Sequence, residues 1–323
     1  MAQVVFGCAT SRSPLLSGSA EVWGWMGERD QHSRRLRDGS GALVSYDTLL
    51  ARADASLAAQ ATPAAFEAKH AAAQRALATV VERLAAARPD VIVFMGDDEE
   101  EYIHDDLRPA LLLYRGQTWQ NVPRPVDPTD RIAVATNWQW GRQPGTYPVA
   151  ADLTTHVLRS LIDAEFDVGD SLTLEAMPHG FGFLYERLLG DRSVPIVPLI
   201  VNVHTPPAQP TPRRCYHLGR AIRDAVLTWP EPLRVAVVAT GGLSVGVVEE
   251  SLDRAVLDAL CERDMDALAR LPRGWIQGST GEVLCWVSAA GALEHLQMDL
   301  IDYIPAYRSA AGTGAGLAFA TWQ

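Results

Sequence analysis

Two apolar runs that end in small or acidic residues constrain the fold of this chain more than any other feature. Residues 94–101 read FMGDDEEE, and residues 235–246 read VAVVATGGLSVG. Each run is typical of a buried parallel strand that delivers a loop to the carboxyl edge of a sheet, where the ligand sites of open α/β sheets gather. The two strand ends therefore predict one shared site within one large domain.

The length and composition of the chain agree with this prediction. Its 323 residues, of which 48% are hydrophobic and 21% charged, can bury a large core without a disulfide or a structural metal. We predict a single α/β domain over residues 1–323, with a central, mostly parallel or mixed sheet flanked by helices. Strands are predicted at 4–9, 91–95, 194–203 and 233–239, with their carboxyl ends on one side.

Composition also narrows the functional class. The four cysteines lie far apart without a CxxC pair, so a zinc knuckle or a disulfide framework is not expected and a reducing cytoplasm fits best. The formal net charge is −11 and Lys69 is the only lysine, which makes nucleic acid a poor partner. No apolar run approaches the roughly 20 residues that span a bilayer, and the first residues lack signal-peptide features. We therefore expect a cytoplasmic protein with no membrane partner.

A series of motifs follows one order along nearly the whole chain: GCATSRSPLL (7–16), VFMGDDEEEYI (93–103), MPHGFGFLYERLL (177–189), PPAQPTPRRCYHLG (206–219), VVATGGLS (237–244), GEVLCWVSAAGAL (281–293) and DYIPAYRSAAGTGAGLAF (302–319). Together they resemble the class III extradiol ring-cleavage dioxygenases, most closely the branch that acts on gallate and 3-O-methylgallate. The resemblance implies a small phenolic or catecholic acid and dioxygen as substrates. It also implies ferrous iron held by two histidines and one carboxylate, with a further histidine as acid or base.

Carried over residue by residue, the resemblance retains one of the four family positions at the iron site. Arg12 stands where the first histidine ligand is expected, and Glu99 stands in the turn that carries the second. Glu282 matches the carboxylate ligand, whereas Val245 follows the Gly-Gly-Leu-Ser turn in place of the acid/base histidine. Because an arginine keeps its proton and cannot ligate iron, the resemblance implies an atypical or degenerate non-haem iron site. Fe(II) is the expected cofactor if this site is functional, and no cofactor if it is not.

The acidic candidates have ordinary interpretations as well. The acids at 97–101 fit a solvated face, although their position after a buried strand makes Asp98 and Glu99 candidate metal ligands beside Glu282. Glu282 also fits a first-turn acid that is favourable to a helix dipole.

The basic candidates are His179, His204 and Arg12. His179 matches a family histidine that helps to bind substrate or oxygen, and its ordinary role is a core residue capping the next helix. His204 follows a strand and is either a replacement acid/base or an exposed loop residue. Arg12 either joins Glu282 and the turn at 97–99 in a salt-bridged cluster or binds a substrate carboxylate. We predict the cluster.

Further substrate contacts are predicted from Ser244, Tyr303, Tyr307 and Arg308, although the tyrosines also fit a core edge. Three functions stay open: an enzyme with an atypical metal site, a non-catalytic subunit of a heteromeric dioxygenase, and a repurposed metal-independent enzyme.

The expected assembly rests on three tryptophans. Tryptophans 23, 25 and 119 fall in segments predicted to lie outside the regular α/β elements, where they indicate apolar surface. We therefore expect a homodimer or a heteromer with a homologous subunit.

Overall fold

A mixed β-sheet forms the centre of the molecule in the computed structural model, which describes residues 1–137, 141 and 143–323. The strands are β1 (Gln3–Thr10), β2 (Val91–Gly96), β3 (Leu111–Tyr114), β4 (Thr118–Asn121), β5 (Gly145–Pro148), β6 (Gly169–Ser171), β7 (Ile196–Val201), β8 (Arg234–Thr240), β9 (Val245–Val247), β10 (Met298–Tyr307) and β11 (Thr313–Trp322). The helices are α1 (Pro14–Ser17), α2 (Glu21–Asp30), α3 (Tyr46–Arg52), α4 (Leu57–Gln60), α5 (Pro63–Ala87), α6 (Arg131–Thr136), α7 (Ala151–Asp163), α8 (His179–Phe183), α9 (Pro212–Thr228), α10 (Glu250–Glu262), α11 (Met265–Ala269) and α12 (Val283–Leu293). A π-helical turn, Leu184–Leu189, follows α8, and a 3-10 turn, Gly278–Glu282, precedes α12.

The main sheet has the strand order β10-β11-β1-β8-β2-β7-β3-β6, with β9 paired to β11, and β4 and β5 form a separate ribbon. Strands β1, β8, β2 and β7 are parallel neighbours. The four predicted strands are therefore confirmed, and their carboxyl ends share one edge. Strands β3 and β11 are antiparallel to their inner neighbours, which makes the sheet mixed.

Side chains of the central strands alternate between two apolar cores, one on each face of the sheet. In β2, Val91, Val93 and Met95 belong to one core, and Ile92 and Phe94 belong to the other. Because both faces are covered, every residue of this strand is buried. This explains why the strand is a continuous apolar run instead of an alternating one.

Helices cover both faces of the sheet. On one face, α5 packs residues such as Leu77 against the core that contains Phe94. On the other, α9 and α12 contribute Leu218 and Trp286. Both α5 and α9 begin with a Thr-Pro pair: the hydroxyl of Thr62 or Thr211 accepts a backbone N–H of the first turn, and proline occupies the first helical position. Among the described residues, no helix has the length and apolar character that crossing a membrane requires.

The tryptophans that were expected on the surface lie in the protein's own core instead. Trp23 and Trp119 are 0% and 1% exposed, and Trp25 is partly buried against the same core. Trp23 donates its indole N–H to the carbonyl of Leu15, and Trp119 stacks on Tyr114. The segments that carry these tryptophans therefore pack onto the sheet. The prediction that these side chains form an apolar surface for an interface was wrong. The oligomeric state stays a prediction.

Candidate functional site

The candidate site lies at the carboxyl edge of the four parallel strands. Arg12 follows β1, and the acidic turn 97–99 follows β2. The Gly241–Gly242 pair follows β8, and Glu282 closes the 3-10 turn before α12. Adjacent parallel strands end at the same edge, which is why segments far apart in the chain meet here.

Arg12 is the centre of a buried ion-pair cluster. Its Nη2 lies 2.8 Å from Asp97 Oδ1 and 2.8 Å from Glu99 Oε1, and it also contacts Glu282 Oε1. Arg12, Asp97 and Glu282 are 7%, 2% and 1% exposed. The predicted cluster of Arg12 with Glu282 and the turn is therefore present. One guanidinium faces two buried carboxylates, of Asp97 and Glu282, and the partly exposed carboxylate of Glu99.

His179 joins the cluster through both ring nitrogens. Its Nε2 contacts Arg12 Nη1, and its Nδ1 contacts Glu101, which also accepts the backbone N–H of His179 at 3.1 Å. Since a guanidinium can only donate, Nε2 must accept, and the ring proton therefore sits on Nδ1 and is donated to Glu101. Sequence reasoning placed Glu101 on a solvated face and missed this contact.

The cluster distributes charge unevenly among its acids. Burial raises the pKa of Glu282 well above its usual range although Arg12 lowers it, and burial likewise raises the pKa of Asp97. Burial also acts to raise the pKa of Glu99, but Arg12, His179 and His204 together outweigh it and lower this pKa. Burial acts to lower the pKa of Arg12, whereas Glu282, Asp97 and Glu99 together raise it. Arg12 therefore stays charged and Glu99 stays ionised.

The glycine pair after β8 lets Glu282 approach the backbone. The N–H of Gly242 donates to Glu282 Oε2 at 2.6 Å. Gly241 has a φ of 139°, and a Cβ at this position would lie 2.4 Å from the Cβ of Glu282. A larger residue at 241 is therefore excluded by contact and by backbone conformation.

Asp98 takes a different role from the one predicted. Its carboxylate accepts the backbone N–H groups of Tyr102 and Ile103, at distances of 2.9 to 3.2 Å. It therefore holds the loop, while its neighbour Asp97 contacts Arg12. The sequence could not decide between the two, because the direction of each side chain depends on how the turn leaves the strand.

His204 lies beside the cluster, after β7. Its Nε2 is 3.9 Å from Glu99 Oε2 and 3.4 Å from Ser279 Oγ. Asp97, Glu99 and His204 line a small inner cavity of about 30 Å³. His204 also lines a cleft of about 950 Å³, together with Val245, Thr280, Arg34 and Arg35. The cleft connects the predicted acid/base positions to solvent.

Three residues predicted to bind substrate lie in a separate polar network. Ser244 Oγ and Tyr303 OH donate to Asp253 Oδ2 at 2.6 and 2.7 Å, and Tyr307 donates to Glu250 at 2.8 Å. Burial raises the pKa of Asp253 to about 6. None of Ser244, Tyr303 or Tyr307 lines the cleft or the inner cavity. Arg308 lines the cleft, but its Nε and Nη2 donate to Asp30 at 2.6 and 2.8 Å.

This site occurs in a chain whose residues 58–318 match the family described as the catalytic LigB subunit of aromatic ring-opening dioxygenase. The chain belongs to this family. The match includes Glu99, His179, His204 and Glu282 and begins after Arg12. The extradiol resemblance of the motifs and the α/β fold with a mixed central sheet are therefore confirmed.

Curated relatives carry two kinds of names. A gallate dioxygenase of Pseudomonas putida is 37% identical over 158 residues, covering 44% of this chain and 45% of that protein. A 2,3-dihydroxyphenylpropionate/2,3-dihydroxicinnamic acid 1,2-dioxygenase of Azotobacter vinelandii is 32% identical over 132 residues, covering 41% and 40%. The chain thus spans less than half the length of each. A crystal structure of an uncharacterized Escherichia coli K12 protein has a TM-score of 0.49 at 13% identity, over 76% of this chain and 91% of that one, which is too weak to support an argument.

Proposed function

We propose that this chain is an extradiol-dioxygenase-like protein that binds a small phenolic or catecholic acid in the cleft, with the guanidinium of Arg12 in the place of the family's iron. The observation that carries the proposal is the contact of Arg12 Nη2 with Asp97, Glu99 and Glu282. Acids that converge in a buried site repel one another unless a cation lies among them. Here that cation is a side chain.

The residues at the family's iron position do not fit a ferrous ion. The guanidinium cannot lose its proton, and its Nη2 is already within ion-pair distance of the carboxylates that would ligate the metal. The lone pair of His179 Nε2, the imidazole nitrogen in contact with Arg12, accepts from Arg12 Nη1. Val245 provides no acid/base group at the cleft wall. No step through iron at this position is therefore derived.

The cleft supports binding of an organic acid. Arg34 and Arg35 are exposed on its wall and form no salt bridge within the described part of the chain. In a chain of net charge −11 they supply a local positive potential toward an anionic ligand. A cleft of about 950 Å³ is ample for a single aromatic ring. The relatives' names, gallate and dihydroxyphenylpropionate dioxygenase, describe aromatic acids of this kind.

A binding role without iron at the family position also favours a heteromer with a homologous subunit over a homodimer. A chain that keeps the pocket but not the ligand set suits a non-catalytic subunit paired with a homologous active chain. Light scattering of the purified protein, alone and mixed with an active homologue, tests this: a stable mixed dimer is expected. A monomer in both samples would contradict it.

Calorimetric titration tests the ligand. Gallate, 3-O-methylgallate and protocatechuate are titrated into wild-type protein purified without oxygen, with pyrogallol as the matched compound that lacks the carboxylate. At least one acid is expected to bind, and pyrogallol about tenfold more weakly, since one charge-assisted hydrogen bond is worth roughly 1.5 kcal/mol. Oxygen uptake in the same samples is expected to stay at background. Absence of binding by all three acids, or ring cleavage at ordinary rates, would overturn the proposal.

A further inference from the structure

We propose that Asp97, Glu99 and His204 form a divalent-cation site beside the Arg12 cluster. One ligand atom of each residue can be chosen so that all lie within 4.8 Å of one another. Ligands at about 2.1 Å from a common ion are roughly 3 to 4 Å apart, so small side-chain shifts would close the site. It is the one such convergence of His, Cys, Asp or Glu found in the part of the chain that the structure describes.

An unsatisfied buried oxygen supports the site independently. Asp97 Oδ2 is buried and has no hydrogen-bond partner among the described residues, while Oδ1 is bonded to Arg12. Buried polar atoms without a partner are rare in proteins, and an ion is one of the explanations for such an atom. Asp97 lines the inner cavity with Glu99 and His204, and its volume of about 30 Å³ is sufficient for one water or one small cation.

Each of the two acids keeps one oxygen for which no contact with Arg12 is found in the described part of the chain. Arg12 Nη2 takes Oδ1 of Asp97 and Oε1 of Glu99. Oδ2 of Asp97 has no hydrogen-bond partner among the described residues, and Oε2 of Glu99 lies 3.9 Å from His204 Nε2. A cation can therefore bind without displacing the guanidinium.

The charges of the neighbourhood also favour a divalent cation. Arg12 offsets one of the three carboxylates that it contacts, which leaves up to two negative charges in a buried region. Two carboxylates and one imidazole suit Mn²⁺, Fe²⁺ or Zn²⁺ and do not favour metals that need thiolate ligands. The site shares Glu99 with the turn that carries the family's second ligand, but Asp97 and His204 stand at none of the four family positions. The inference goes beyond the proposed function, because it concerns a metal in the absence of any aromatic acid.

Metal titration of the full chain tests the inference. Wild-type protein is treated with a chelator, dialysed, and titrated with Mn²⁺ and Zn²⁺ by calorimetry, without phenolic ligand. One ion per chain is expected. His204→Ala should weaken binding by at least about tenfold, whereas His104→Ala, an exposed histidine near the same loop, should leave the affinity within about twofold.

Two further variants keep the test decisive. Glu99→Gln preserves the size of the side chain and its contact with Arg12, and it should weaken binding at least as much as His204→Ala, even if the histidine variant folds poorly. Glu282→Gln should weaken it far less, because Glu282 lies outside the trio. The inference is overturned if neither metal binds below millimolar concentration, or if wild type, His204→Ala and Glu99→Gln bind equally. Loss of binding only in Glu282→Gln would also overturn it and would place the metal at the family position.

Discussion

Two buried arginines of this protein have opposite surroundings. Within the described residues the Arg308 side chain meets a single acid: its Nε and Nη2 donate to the two oxygens of Asp30, and both side chains are less than a tenth exposed. Arg12 meets three carboxylates and a histidine, and its Nε has no partner among the described residues. The first is a closed, neutral pair, and the second is a crowded group with an excess of acid.

The difference indicates what each arginine does. The bidentate pair gives both oxygens of Asp30 a hydrogen bond, and it joins the end of α2 to the turn after β10. Its role is therefore structural. The Arg12 cluster leaves polar atoms unsatisfied and perturbs the pKa of several acids, which is the pattern of a functional site. Charge balance thus separates the structural ion pair from the candidate site more clearly than burial does.

The largest effect on stability is expected from replacing each of the two buried arginines by an uncharged residue. Arg12→Met should lower the free energy of unfolding by about 4 kcal/mol or more, because it leaves two buried acids and the partly exposed Glu99 without a counter-charge. Arg308→Met should cost somewhat less, on the order of 3 kcal/mol, because it leaves only Asp30. Urea unfolding of both variants measures this. Adding Glu282→Gln to Arg12→Met should restore part of the loss, and equal losses in the two single variants would remove the distinction drawn here.

Asp253 extends the comparison to a buried acid that forms no ion pair with any residue the structure describes. Its pKa of about 6 lies above the usual 3.8, so between these values the unfolded chain releases its proton first and stability falls as pH rises. The fall in the free energy of unfolding attributable to this group is on the order of 3 kcal/mol. Asp253→Asn should remove this contribution while leaving other titrations in place. Unfolding at several pH values between 4 and 7 checks it, and parallel curves for wild type and variant would refute it.

Changing Arg12 into a ligand should reverse its role. Arg12→His is expected to raise the affinity for Fe²⁺ by about tenfold, and adding Glu99→His and Val245→His should raise it further, since imidazole is a suitable iron ligand. Arg308→His serves as the matched control and should not change the affinity. Anaerobic calorimetry with Fe²⁺ gives the result. No gain over wild type in the triple variant would mean that the edge of the sheet cannot hold iron for another reason.

The smallest effect is expected from the exposed arginines of the cleft. Arg34→Ala should weaken binding of gallate by about threefold, and less at high salt, because exposed charges in water contribute on the order of 0.5 kcal/mol. Arg75→Ala, on the exposed side of α5, should have no effect. Titrations at two ionic strengths measure both. A loss as large for Arg75 as for Arg34 would argue against the cleft as the binding place.

The strand ends and the Arg12 cluster were predictable because continuous apolar runs and family motifs fix which loops share an edge. The choice of Asp97 over Asp98 was not, because it depends on a turn in which Glu99 and Glu100 have φ values of 46° and 61°. The Asp30 partner of Arg308 lies 278 residues away, and nothing local indicates it. The contact between Glu101 and His179 was likewise hidden in a run of acids that looks solvated.

The most direct test of the central claim is the position of iron in crystals of the wild-type protein grown and loaded with Fe²⁺ without oxygen, located by anomalous scattering at the iron edge. The account predicts no iron ligated by Glu282, with Arg12 Nη2 still in contact with that carboxylate. An iron ion ligated by Glu282, with the guanidinium of Arg12 displaced from the cluster, would contradict it.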